Sequence, residues 1–285
     1  MRSFLMILRS DIKHGLKRVV LRHVLVFAVA LFAGYLTYAA VFTTAGYIAI
    51  DYKSTMGDMV LCLFGGIPVY SPSSGKEFEF PMVWIAIFVA AAYVTLDYPL
   101  HDLQGVGATS IVISGSRWSW WLSKCSWVII NACIICVLWA ITILIFTLIS
   151  GSSFDLTPTS EGVMLSGLRS IDNQPHPLSL GMYVLSLLPL LISILLIQLF
   201  VSLMAGPYVA LAATLAILFL STFYMSPYLL GEYLLAGRNA AILTNGVDSG
   251  IGILFALGVS TISILIGGMI FTHKDILAGK ANGND

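Results

Sequence analysis

Apolar residues fill this chain in long runs, and polar positions fall mostly in the gaps between them. Six runs are long enough, or nearly so, to cross a bilayer as helices. They cover about Val24 to Gly46, Pro81 to Leu96, Trp127 to Ile149, Gly181 to Met204, Pro207 to Met225, and Ser249 to Phe271. The second is short. Ala205-Gly206-Pro207 predicts a tight turn between the fourth and fifth, because glycine and proline both end helices. Ahead of the first run the pattern changes. Leu5, Leu8, Ile12, Leu16 and Val19 recur every three or four positions, which places them on one helical face. Arg9, Lys13, Lys17 and Arg18 lie largely elsewhere around that helix. Residues 1–23 therefore predict an amphipathic helix lying on an anionic membrane surface. Its charged region is too long for a cleaved signal peptide, and no small-residue cleavage pattern follows it.

Two stretches between runs are too apolar for plain loops. Met59 to Tyr70 carries no charge and is too short to span. Pro227 to Leu243 is similar, with Gly231, Glu232 and Gly237 inside it. Each reads equally as a re-entrant piece or as a helix lying on the surface. Non-helical backbone at membrane depth needs cover from protein or a cavity. The pattern as a whole predicts an all-α integral membrane protein: an interfacial helix over 1–23, a six-span transmembrane domain over 24–273, and a tail over 274–285. No internal repeat divides it.

Composition agrees. The 285 residues are 58% hydrophobic and 10% charged, with a mean hydropathy of +0.94. Soluble domains carry about 25% charged residues, so this chain has too few to cover a water-facing surface. Net charge is zero, and bulk charge implies no nucleic-acid partner. The placement of cations orients the chain. With the N-terminus inside, the inner segments hold Arg2, Arg9, Lys13, Lys17, Arg18, Arg22, Arg117, Lys124, Lys274 and Lys280. The outer ones hold only Lys53, Lys76, Arg169 and Arg238. Both termini are expected in the cytoplasm.

The chemistry that is missing narrows the function. None of the six spans as drawn contains Asp, Glu, Lys, Arg or His; Asp97 sits at the inner end of the second. Ion-coupled transport and intramembrane hydrolysis both need ionisable groups at depth. No G-x-x-x-x-G-K-[ST] loop is present for nucleotide. Cys133-x-x-Cys136 lies in an apolar run without nearby His or acid and reads as two buried thiols. The histidines are scattered, so no metal site is expected. A transported cargo would have to draw its free energy from another subunit. Its path would be lined by Ser, Thr, Tyr, Gln198 and backbone, which suits a large amphipathic cargo better than an ion. Gly246-x-x-x-Gly250 and Ala30-x-x-x-Gly34 would let helices approach closely.

One segment concentrates aromatics and cations: SGSRWSWWLSKC, Ser114 to Cys125, with Trp127 just beyond. Trp118, Trp120, Trp121 and Trp127 suit the headgroup layer, where an indole ring is apolar but its N–H stays wet. Arg117 and Lys124 suit the inner-leaflet phosphates. A membrane anchor at the start of the third span explains this composition. It leaves the preceding loop from Asp97 unexplained, with Asp102 in it. About thirty residues there are long enough for a short helix parallel to the membrane, and loops of that length are uncommon without a role.

The order of amphipathic helix, span, outer loop, span, short cytoplasmic helix and four more spans resembles the ABC-2 type permeases of ABC transporters. GVGATSIVISGSRWSWWLSKCSW is similar to the matching loop of bacterial permeases in the bacteriocin or peptide exporter-like group, through Gly105, Gly107, Ser116, Arg117, Trp120, Trp121, Ser123 and Lys124. MGDMVLCLFGG, from Met56 to Gly66, is similar to their outer loop. The resemblance implies a membrane-spanning permease without catalytic residues or cofactor of its own. It implies a separate ATPase subunit holding ATP and Mg and docking under Asp97, His101, Asp102, Gly105, Gly107 and Arg117. It implies a second permease copy, identical or related, in a bacterial plasma membrane, and re-entrant helices closing the outer side. The alternative is an immunity or scaffold protein that binds a peptide in the membrane without moving it.

Overall fold

The computed structural model describes residues 2–49, 52–70, 78–168 and 177–273. The expected tail at 274–285, with Lys274 and Lys280, and the outer cations Lys76 and Arg169 lie outside them. Helices account for nearly all the regular structure, and no β-strand occurs among the described residues beyond isolated bridges. Among the described residues, five helical stretches are long and apolar enough to cross a membrane: Ser3–Tyr47, Met82–Gln104, Arg117–Ile149, Gly181–Ala205 and Ser249–His273. This is the architecture of a multi-pass all-α membrane protein.

The helices are α1 (Arg2–Ser10), α2 (Leu16–Tyr47), α3 (Met56–Phe64), α4 (Met82–Thr95), α5 (Tyr98–Gln104), α6 (Val106–Ser114), α7 (Arg117–Ile149), α8 (Ser160–Leu165), α9 (Gly181–Ala205), α10 (Pro207–Phe223) and α11 (Ser249–His273). A π-helical turn, Asp11–Gly15, joins α1 to α2 without interrupting the helix. The amphipathic segment is therefore continuous with the first span rather than a separate helix. Its apolar stripe is also divided: Val19 is fully buried in protein while Leu5 is 55% exposed.

Other boundaries differ from the hydropathy pattern for local reasons. The short second run gains length because the chain resumes as α5 after a break at Leu96 and Asp97. Gly115, at φ +63°, ends α6 in a left-handed conformation that favours glycine. Ser116 then caps α7, accepting a hydrogen bond from the Ser119 amide at 3.2 Å. The aromatic cluster is thus the first two turns of α7, not a loop. Gly206, at φ +94°, and Pro207 at the first helical position make the α9–α10 turn. α10 itself, in the place of the fifth expected span, is a shorter apolar helix of 17 residues.

α9 packs against α11, α10 and α7, and α2 packs against α4 and α7. Small residues permit close approach: Gly34 on α2 faces the ring of Phe146 on α7. Gly246 lies ahead of α11 and instead meets the backbone around Asn239. Gln198 is 1% exposed and lines no path. Its amide donates to the Ala92 carbonyl of α4 at 2.8 Å and accepts from Thr214 of α10 at 3.0 Å. A polar side chain in an apolar bundle is tolerated where its hydrogen bonds are met this way. Cys133 and Cys136 are both free but are not the two buried thiols expected, because their side of α7 is not covered by the bundle: Cys133 is exposed and Cys136 half-buried.

Candidate functional site

The buried charged residues gather at the two ends of the bundle. At the end carrying α1, the centre is Asp11, 2% exposed, in the π turn. Its carboxylate accepts from Tyr98 Oη at 2.9 Å and Ser123 Oγ at 2.6 Å, and pairs with Lys124 Nζ. The Lys124 ammonium, wholly buried, also pairs with Asp102 Oδ2 at 2.7 Å. Trp120 Nε1 donates to the same Asp102 oxygen at 3.1 Å. Lys124 further lies 5.0 Å from the Tyr98 ring centroid and 5.1 Å from that of Trp120, within cation–π range.

Each element puts its residue there for a legible reason. A π turn widens the helix by one residue, and here that turn presents Asp11 inward beside Gly15. A side chain at Gly15 would strike Trp127 Nε1 and the Tyr98 ring, each at 2.7 Å; those two rings pack with centroids 4.4 Å apart. A side chain at Gly107 would strike Asp102. The result is one ammonium between two carboxylates, joining α1–α2, α5 and α7.

A second ion pair reinforces the first. Arg22 of α2 grips both oxygens of Asp97, with the Nη2–Oδ2 distance at 2.8 Å, and donates to the Tyr93 carbonyl at 3.1 Å. Its guanidinium also lies 4.6 Å from the Tyr93 ring centroid. A bidentate arginine fixes direction as well as distance. Arg117, at the start of α7, donates to the Thr272 carbonyl in the last turn of α11 at 2.8 Å. Trp121 Nε1 donates to the Ile264 carbonyl at 2.8 Å, and Trp120 stacks on Phe271 at 4.8 Å. Gly267 and Gly268 leave room for the Trp121 and Trp118 rings.

The residues expected at this end therefore divide. Asp97, Asp102 and Arg117 are each held against a different helix, α2, α7 and α11 respectively, and Gly107 packs on Asp102. His101 is exposed, and Gly105 separates α5 from α6. Arg9, Lys13, Lys17 and Arg18 are exposed on the amino-terminal helix. Trp120, Trp121, Trp127 and Lys124 are not at a lipid surface: all are at most 1% exposed. The glycines opposite them and the acids around Lys124 draw them into protein, and only Trp118 is half-buried. Asp11 and Tyr98 were not singled out from the sequence, although Asp11 is the one acid in the first fifty residues.

The other end holds a second buried pair, Glu232 and Arg238, both 0% exposed and 3.0 Å apart. They lie on short 3₁₀ turns, Leu230–Leu234 and Ala236–Arg238. Arg238 also donates to the carbonyls of Ser221 (2.9 Å) and Thr222 (2.7 Å), which end α10, and to those of Ile67 (3.3 Å) and Pro68 (3.2 Å). Burial pushes the Glu232 carboxyl up to about 7, against the opposing pull of Arg238. Gly231 packs on Ser221, and Gly237 sits against Leu168, its amide donating to the Gly65 carbonyl at 3.1 Å. Trp84 and Tyr183 both donate to the Leu234 carbonyl, at 3.1 and 2.8 Å. From Leu230 to Asn239 the irregular backbone is buried in protein, as depth in a membrane would demand, while Pro227, Tyr228 and Ala240 on either side are exposed. The other apolar stretch forms α3, capped by Thr55 and buried along most of its length. Asp58 closes that capping box and also accepts from the Thr159 amide ahead of α8, at 2.9 Å. Burial raises its carboxyl above the ordinary range.

A cavity of about 300 Å³ opens beside α3, between Thr37, Cys62, Gly66, Trp84 and Leu168. Among the described residues no group of three or more His, Cys, Asp or Glu is placed to hold a metal. No family model, curated relative or solved structure matches this chain.

Proposed function

We propose that the chain is the membrane-spanning permease subunit of an ATP-driven transporter, carrying a peptide or similar amphipathic cargo. A separate ATPase subunit, with its own ATP and Mg, docks under α5 and α6, and a second permease copy completes the path. The membrane is a bacterial plasma membrane with both termini cytoplasmic. One observation carries the reading. α5, the short helix at the end of the second membrane stretch, is clamped to the amino-terminal helix and to α7 through the buried Asp11–Lys124–Asp102 set, and the residue just ahead of it, Asp97, is held by Arg22 in a partly exposed pair. A force on α5 would then reach two long helices at once, and α11 through Arg117 and the tryptophans.

The test is co-expression of the tagged chain with its genomic neighbours, purification in mild detergent and mass spectrometry of stoichiometric partners. A co-purifying nucleotide-binding subunit is expected. In the reconstituted complex, D102N and R117Q should leave ATP hydrolysis running while transport falls. Absence of an ATPase around a monodisperse chain, or normal coupling in both variants, would overturn the proposal.

A further inference from the structure

Between α2 and α7 the outer face of the bundle carries an apolar groove of about 380 Å³. Val20, His23, Val24 and Phe27 line it from α2, and Ile134 and Leu138 from α7. Val20 and Val24 are 55% and 56% exposed, so the chain itself leaves this face open. The α2 stripe begins at Leu16. From Leu16 to Phe27 it rises about 16 Å at 1.5 Å per residue, close to the ~15 Å of hydrocarbon in one leaflet. Helical spacing puts Lys17 one turn before Val20 and two before Val24, along one edge of the stripe. Lys13 lies a further turn back. Both lysines are exposed, and neither forms an ion pair among the described residues. The other cations nearby point elsewhere: Arg18 falls on the opposite side of α2, and Arg22 is engaged by Asp97.

We propose that this groove is a binding site for one anionic phospholipid, with an acyl chain along α2 and α7 and the headgroup phosphate held by Lys13 and Lys17. Charge selects the occupant. A groove one leaflet deep, apolar along its length and cationic at one end, matches an anionic lipid. The packing helix of a second copy would gain nothing from the lysines. The site goes beyond the transport reading and does not depend on an ATPase.

The test is native mass spectrometry of the purified full chain, exchanged into detergent with equal amounts of phosphatidylglycerol and phosphatidylcholine bearing identical acyl chains. Both lipids carry a phosphate, but the choline cation cancels its charge in phosphatidylcholine; one lysine near a net anionic headgroup is worth about fivefold in affinity, so phosphatidylglycerol should be retained about twentyfold better. K17Q should cut that preference about fivefold. K53Q removes an exposed lysine beyond the far end of α2 and should not change it. L138W, which fills the groove, should lower retention of both lipids; K17Q keeps the test decisive if L138W fails to stay monodisperse. Equal retention of the two lipids, or an equal effect of K17Q and K53Q, would overturn the site. So would rapid disulfide formation between copies carrying V24C, which would mean a second copy covers the groove.

Discussion

Replacing Lys124 by methionine keeps the side chain's length and removes its charge, leaving Asp11 and Asp102 facing one another without a cation. Asp11 is 2% exposed, so water cannot take over the lost interaction. Tyr98 and Ser123 still donate to it, and Trp120 still donates to Asp102, but neutral donors do not offset a second buried negative charge. Breaking a buried ion pair from one side costs about 3–5 kcal/mol, and the two cation–π contacts of Lys124 are lost as well. Removing the whole set of charges is different. Buried ion triads replaced entirely by uncharged residues are often neutral in stability. The triple variant D11N/K124M/D102N should therefore be more stable than K124M alone, although it carries more substitutions. Unfolding of the purified chain in mixed detergent micelles, followed by tryptophan fluorescence, reads this directly, since Trp120 and Trp127 border the cluster. A K124M chain within about 1 kcal/mol of the parent would refute the reasoning, because that figure belongs to an exposed pair. So would a triple variant whose loss equals the sum of its parts.

Arg238→Met should cost at least about 3 kcal/mol, because it strands Glu232 and uncaps the last carbonyls of α10; the same micelle assay checks it. The Glu232 carboxyl is raised from 4.5 to about 7 in the folded chain. The folded state then holds a proton that the unfolded state releases, so this group's contribution to stability declines as pH rises from about 4.5 to about 7 and is flat above that. E232Q should flatten that part of the stability–pH curve, and an unchanged slope would remove Glu232 as its source. Gly267→Leu should displace the Trp121 ring, costing about 1–3 kcal/mol from overpacking and shifting the tryptophan emission. A parental emission maximum with parental stability would contradict the close fit.

Long spans were legible because apolar runs of that length have few other folds open to them, and the loop between the second and third did contain short helices. What hydropathy could not reveal was which side of a helix meets protein. Trp120, Trp121 and Lys124 have the composition of a headgroup anchor, yet Gly267, Gly268, Asp11 and Asp102 lie far away in sequence or on other helices, and only folding brings them opposite. Asp11 was hidden for a related reason. A lone acid within a basic helix looks like the polar side of an amphipathic stripe until Lys124 arrives from α7. That acid was the one available signal, since a helix made to lie on anionic lipid has no use for it. Arg238 read as an outer-side cation, because a capping role depends on the end of α10 lying against it.

The joined amino-terminal helix has a mechanical consequence. Ser3–Tyr47 is 45 residues, about 68 Å along a helical axis at 1.5 Å per residue, more than twice the ~30 Å hydrocarbon thickness. Asp11 and Arg22 pin this rod at two points about 16 Å apart along its axis. Two pins fix tilt as well as position, so the direction in which the long helix crosses the bundle is set at this one end.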